Sequence, residues 1–164
     1  TKTEFEMYEE DEHFVCLISH NKNVKKYSKL TKSSYVSLEY FDFISNKFNI
    51  EIQTETNGKE FQLRNPKTGY FWPVDGYHNC TKHRCSGSEK NPCIFNNCIW
   101  EFQGDYFHGN PEKYSDDDQL FSISYRVKKN KDKQKKEYYK SQGYTVIIIW
   151  ESKWTQIKKD LRNL

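Results

Sequence analysis

The chain contains no run of about 18 apolar residues, so a single membrane-spanning helix is excluded. It shows no secretory pattern near its start, and no internal repeat that would point to a stacked array. Strong net charge is also missing. The balance is +3 over 164 residues, so any attraction for a polyanion must come from a local patch. The first residue is Thr1 and not Met, which suggests an excised or trimmed segment of a longer chain. Tyr and Phe are plentiful, at 12 and 11, but an AT-rich coding bias would enrich them too.

What is present is unevenly placed. The length suits one domain with a real core. Residues 4–12, "EFEMYEEDE", are acidic, whereas 126–140, "RVKKNKDKQKKEYYK", hold eight Lys or Arg against Asp132 and Glu137. Such a segment is either a phosphate-binding face or a solvated helix face. Arg126, Lys128, Lys129, Lys131 and Lys135 are its candidate backbone contacts.

Four of the five cysteines, Cys80, Cys85, Cys93 and Cys98, fall within 19 residues in a C-x4-C-x7-C-x4-C pattern, while Cys16 stands apart. Without a secretion signal this points to an intracellular setting (cytoplasm or nucleus) and to structural zinc more than to disulfides. The usual two-residue spacing between paired cysteines is absent, so free thiols or disulfides stay open. His83 is a possible substitute ligand. Lys82, Arg84 and Lys90 lie within the same loop and are candidate DNA contacts at its tip.

The order of elements follows from periodicity. Residues 1–32 read as an N-terminal appendage, and 33–164 as the main domain with a Cys-rich insertion at 78–98. "SSYVSLEYFDFISNKF" predicts a Ser-capped helix with Val36, Tyr40, Phe43 and Ile44 on one stripe and Glu39 within it. "IEIQTET" alternates as a strand does, and "NGK" after it is a hairpin signal. A second strand region spans "EFQLRN" and "YFWPVDGY" across a "PKTG" turn at 66–69. "CIWEFQG" predicts the third strand, the basic segment a helix ending at Gly143, and "YTVIIIW" a central strand buried on both faces. "WTQIKKDLRNL" is amphipathic.

The chemistry concentrates in residues 99–111, "IWEFQGDYFHGNP". On an alternating strand Glu101 and Gln103 share one face, and Trp100 and Phe102 the other. If this strand pairs with the one ending at Asp75, the two carboxylates converge. Together with the Phe102 carbonyl they would make a hard oxygen site for Mg2+ or Mn2+.

These residues resemble the PD-(D/E)xK nuclease superfamily: Asp75, then Glu101-Phe102-Gln103, with glutamine where lysine usually stands. The pattern is closest to the very-short-patch mismatch-repair endonucleases and the homing endonucleases named for an E-D-x-H-D residue set. "GDYFHG" (104–109) looks like that branch's aromatic element, and Lys131-Asp132, Gly143-Tyr144 and "VIIIWE" follow in its order, over about residues 33–154. The resemblance implies a restriction-endonuclease-like α/β core of mixed sheet and flanking helices. It also implies a metal-dependent DNA endonuclease of homing, repair or restriction type, acting on double-stranded DNA. Glu39, Asp75, Glu101, Gln103, His108 and Asp132 would be its catalytic set, and Tyr106 and Phe107 would reach towards bases. Glutamine cannot act as a base, whereas histidine can. That branch's own zinc ligands have no counterparts at Asp105, Asn110 and Glu112. The rival expectation is a non-catalytic nucleic-acid-binding zinc module on a degenerate nuclease fold.

Overall fold

The computed structural model describes residues 34–58, 60–80 and 95–163. The N-terminal appendage, Lys82, His83, Arg84, Cys85, Lys90 and Cys93 lie outside the described residues. Helix α1 (Tyr35–Phe48) begins where the sequence marks it: Ser34 Oγ accepts the Ser37 N–H at 3.1 Å. It ends at Asn49, which takes the left-handed conformation (φ 50°) and donates its N–H to Ser45 O.

The segment 50–56 departs from expectation. Ile50, Ile52 and Thr54 are buried on one side as alternation predicts, yet the ladder is reduced to one bridge between Gln53 and Tyr77. Asn57 explains this. Its Nδ2 donates to Ile52 O at 2.7 Å and its Oδ1 accepts the Thr54 N–H at 2.8 Å, removing main-chain groups that a longer strand would need. The hairpin forms instead around the second turn signal. β1 (Gln62–Arg64) and β2 (Phe71–Pro73) pair antiparallel, closed by Gly69 N–H to Asn65 O at 2.8 Å.

The main sheet has three strands in the order β3–β4–β7, from β3 (Gly76–His78), β4 (Cys98–Gln103) and β7 (Thr145–Trp150). β4 runs antiparallel to β3 and parallel to β7. Between β4 and β7 lie α2 (Asp105–His108), the β5 (Gln119–Leu120) and β6 (Ile123–Ser124) hairpin, and the basic helix α3 (Tyr125–Ser141). α4 (Glu151–Arg162) closes the described chain. Gly143, at φ 89°, donates to Lys140 O while Tyr144 donates to Tyr139 O, so α3 terminates in the paired bonds that favour glycine there.

The strand read as central, β7, is at the sheet edge, and β4 takes the middle. The apolar run of β7 is still accounted for, because Ile147 and Ile149 face one core cluster and Val146 the other. Trp100 and Phe102 pack with Tyr40, Phe41 and Ile44 of α1 and Trp154, Ile157 and Leu161 of α4. On the opposite face Ile99 packs with Val74 and Tyr139 of α3. The result is a small mixed sheet flanked by helices. Among the described residues no helix is long and apolar enough to cross a membrane.

Trp154 is 2% exposed and stacks edge-on with Tyr40 at 5.5 Å, so it ties α4 to α1. Trp154→Ala is expected to lower unfolding free energy by about 3–5 kcal/mol in urea titrations. A loss under about 1 kcal/mol would contradict this position in the core.

Candidate active site

β4 sets the site by its two-residue period. Trp100 and Phe102 are drawn into the α1/α4 core, which turns Glu101 and Gln103 towards α3. The register places Gly76 opposite Trp100, which brings Asp75 alongside Glu101. Asp75 Oδ2 accepts the Phe102 N–H at 2.8 Å, fixing the carboxylate against the middle strand. Phe102 therefore enters the site through its main-chain N–H, and its side chain is buried in the core behind.

Helix α3 covers this face. Asp132, Lys135 and Tyr139 recur at i, i+3 and i+7, and with Glu101, Gln103 and Lys136 they line one small cavity. Lys135 Nζ lies 2.9 Å from Glu101 Oε1. The Lys135 charge is what chiefly opposes burial in setting the Glu101 carboxyl. The Tyr139 hydroxyl is buried nearby and lacks a hydrogen-bond partner.

The short helix α2 brings in His108. Its Nδ1 lies 2.9 Å from Asp132 Oδ2; a carboxylate can only accept, so Nδ1 carries the proton and Nε2 of the neutral ring presents a lone pair. Lys128 Nζ holds the other oxygen of Asp132 at 3.0 Å. The loop is firmly set. Gly109, at φ 63°, packs so closely on the Tyr125 ring that a Cβ would lie 2.2 Å from it, and Tyr125 OH donates to Tyr106 O at 2.6 Å. Buried Asp105 accepts from Asn110 Nδ2 and Ser152 Oγ, both at 3.0 Å, and from Lys113, which latches this loop to the start of α4.

The electrostatics match the geometry. Burial pushes the Asp75 carboxyl up, against the Phe102 N–H, Lys135 and His108, which pull it down. Glu101 is pushed up to about 7, chiefly by burial, with Lys135 opposing and Asp75 and Asp132 adding repulsion. Burial also acts on Asp132, but the hydrogen bonds from His108 and Lys128 outweigh it and hold that group low. Burial raises the Tyr139 hydroxyl, helped by Glu101 and Asp75.

The predicted set divides accordingly. Asp75, Glu101, Gln103, His108 and Asp132 come together. Glu39 does not join them: its carboxylate holds Lys158 at 2.6 Å and Trp154 Nε1 at 3.2 Å, both on α4. An acid on the apolar stripe of α1 is answered there by a lysine from the neighbouring helix. The basic helix is also not one open cationic face. Arg126 pairs with Asp117, Lys128 with Asp132, Lys129 with Asp116 and Lys135 with Glu101, while Lys131 is exposed. Tyr139 was missed by the sequence reading and Lys135 was read only as a backbone contact, although the helical spacing of both from Asp132 was readable. Tyr106 and Phe107 are exposed beside His108.

At the root of the Cys-rich insertion Cys98 is fully buried, and Cys80 packs against the same core cluster. His78 stands opposite Cys98 in the β3–β4 register. Its Nδ1 donates to Glu51 O at 2.8 Å, leaving Nε2 buried without a hydrogen bond. Among the described residues no three His, Cys, Asp or Glu side chains converge as a metal cage. Comparison with protein-family models, curated proteins and solved structures gives no match to this chain.

The raised Glu101 pKa fixes a sign. The folded protein binds this proton more tightly than the unfolded chain, whose glutamate titrates near 4.5. The stability it contributes is fully present below about 4.5 and is lost as pH rises through about 7. Thermal unfolding in chelator should therefore show stability falling from about pH 5.5 to about pH 8, with a visibly shallower fall in Glu101→Gln. Equal slopes in the two proteins would remove Glu101 as the cause.

Proposed function

We propose that this chain is a metal-dependent DNA endonuclease built on a restriction-endonuclease-like core. The observation that carries the reading is the meeting of Asp75 and Glu101 from adjoining β-segments, next to the His108–Asp132 pair. The residues fit a hard divalent cation. Both carboxyls are largely enclosed and hold their protons above the usual range, and Glu101 faces a cation, Lys135, at 2.9 Å. Two carboxylates suffice for Mg2+, which keeps much of its water shell and needs no all-protein cage.

In this reading Asp75 and Glu101 would hold the ion, whose chemistry would be charge against the phosphate and a more acidic water. His108 Nε2 receives the proton of the attacking water, and Asp132 keeps the ring in the required tautomer. Gln103, neutral and buried, can orient water or phosphate through its amide. Tyr106 and Phe107 present aromatic faces to the nucleic acid, and Lys131 can contact its backbone. Structural zinc on Cys80, Cys85, Cys93 and Cys98 completes the proposal. The buried Nε2 of His78 is a further nitrogen of the kind that ligates zinc.

Plasmid cleavage is the direct test. Nicking or cutting in Mg2+ should stop in EDTA and be abolished in Asp75→Ala, with DNA binding retained. His108→Ala should slow it by roughly 10²–10⁴-fold. Tight binding with no cleavage under any divalent metal would favour the non-catalytic zinc module instead.

Elemental analysis of the purified chain should find about one zinc, lost together with thermal stability in Cys98→Ser. Four titratable thiols and no zinc would remove that part of the proposal.

A further inference from the structure

A site that handles a phosphodiester needs positive charge of its own, and β4 supplies none, because Gln103 is neutral. Of the other bases of α3, Lys136 also lines the cavity and Lys131 is exposed, while three are held by acids away from Glu101. Lys128 holds Asp132, Lys129 holds Asp116 and Arg126 holds Asp117. Lys135 is different. Its side chain is only 22% exposed, and Nζ lies over the Tyr139 ring, 5.6 Å from the centroid. The ammonium ends between Glu101 Oε1 at 2.9 Å and Pro73 O at 3.3 Å. The ammonium is therefore held by the very carboxylate that a bound cation would need.

We propose that Lys135 is the positive arm of the site: it pairs with Glu101 while no divalent ion is bound, and delivers its ammonium to a non-bridging phosphate oxygen when Glu101 is taken over. This rests on the endonuclease reading above. A lysine suits the task, since its flexible stem swings a compact charge with three donors. The Tyr139 ring lies under the ammonium, and Pro73 O, two residues before Asp75, accepts from it, so the charge already sits at the carboxylates. Lys135 thereby competes with the divalent ion in the resting protein and assists it during the reaction. Those opposite effects separate this role from simple attachment of α3 to the sheet.

Lys135→Met retains the stem and removes the charge. Calorimetric titration of the free protein with Ca2+ and Mn2+ should show binding on the order of tenfold tighter in Lys135→Met than in the parent. Single-turnover cleavage should fall by roughly 10²–10³-fold, with DNA affinity in Ca2+ changed by less than about threefold. Lys135→Arg gives a check of opposite sign, because a forked guanidinium grips a carboxylate more firmly. It should weaken divalent-ion binding and recover part of the cleavage lost in Lys135→Met. Thermal unfolding of each variant reports whether the fold is kept. If the parent cleaves DNA while both variants bind metal and cleave as it does, the Lys135 assignment is wrong and the endonuclease reading stands. If no divalent ion binds to the parent or to either variant, the metal site fails and the nuclease reading fails with it.

Discussion

The structure depends on one strand being made to serve two faces. β4 is the middle of the sheet, and its even-numbered residues are large and apolar. Burying Trp100 and Phe102 against α1 and α4 leaves Glu101 and Gln103 no choice of side. A carboxylate would not be selected for such a position by stability, since burial opposes its charge. The apolar face supplies the free energy that keeps the acid in place. The hydrogen bond from Phe102 N–H to Asp75 then locks the second acid to the same strand.

Around this strand the charges are arranged by local need. α3 has the composition of a nucleic-acid-binding helix, yet most of its cationic groups near the site have acidic partners within the protein. Its inward face, with Asp132, Lys135 and Tyr139, is more specialised than its outward one. Salt bridges on the exposed side contribute little to stability. The partly buried contacts on the inner side have more effect, because water is largely excluded there. The helix is therefore better regarded as the wall of a cavity than as a ribbon of lysines.

Much of this was readable from the sequence, and the failures have physical causes. The Ser34 cap, the apolar stripe of α1, the "PKTG" turn and the Gly143 stop are local signals, and local chemistry decides them. The alternation in "IWEFQG" correctly divided Trp100 and Phe102 from Glu101 and Gln103. The segment 50–56 was misjudged because Asn57 competes for its main-chain groups, which pattern alone does not reveal. β7 was placed in the middle of the sheet because an edge strand pressed between two core clusters is as apolar as a central one. Glu39 entered the expected site through the family resemblance alone, and only the packing of α4 against α1 shows that Lys158 pairs with it. Lys135 was counted only among the candidate backbone contacts, because lysine identity carries no information about direction.

The Asp105 latch has a consequence for how the chain can vary. Asp105, Asn110 and Lys113 fasten one end of a surface excursion, and Ser152 ties it to α4. The far end is pinned where the Tyr125 and Arg126 N–H groups bond to Asp118 O and Asp116 O. Between these anchors the turns and the β5–β6 hairpin loop outward, with Phe121 at the tip and 81% exposed. Insertions or deletions in that arc would leave the imidazole where it is, so the outer rim can change length while the His108–Asp132 pair stays fixed.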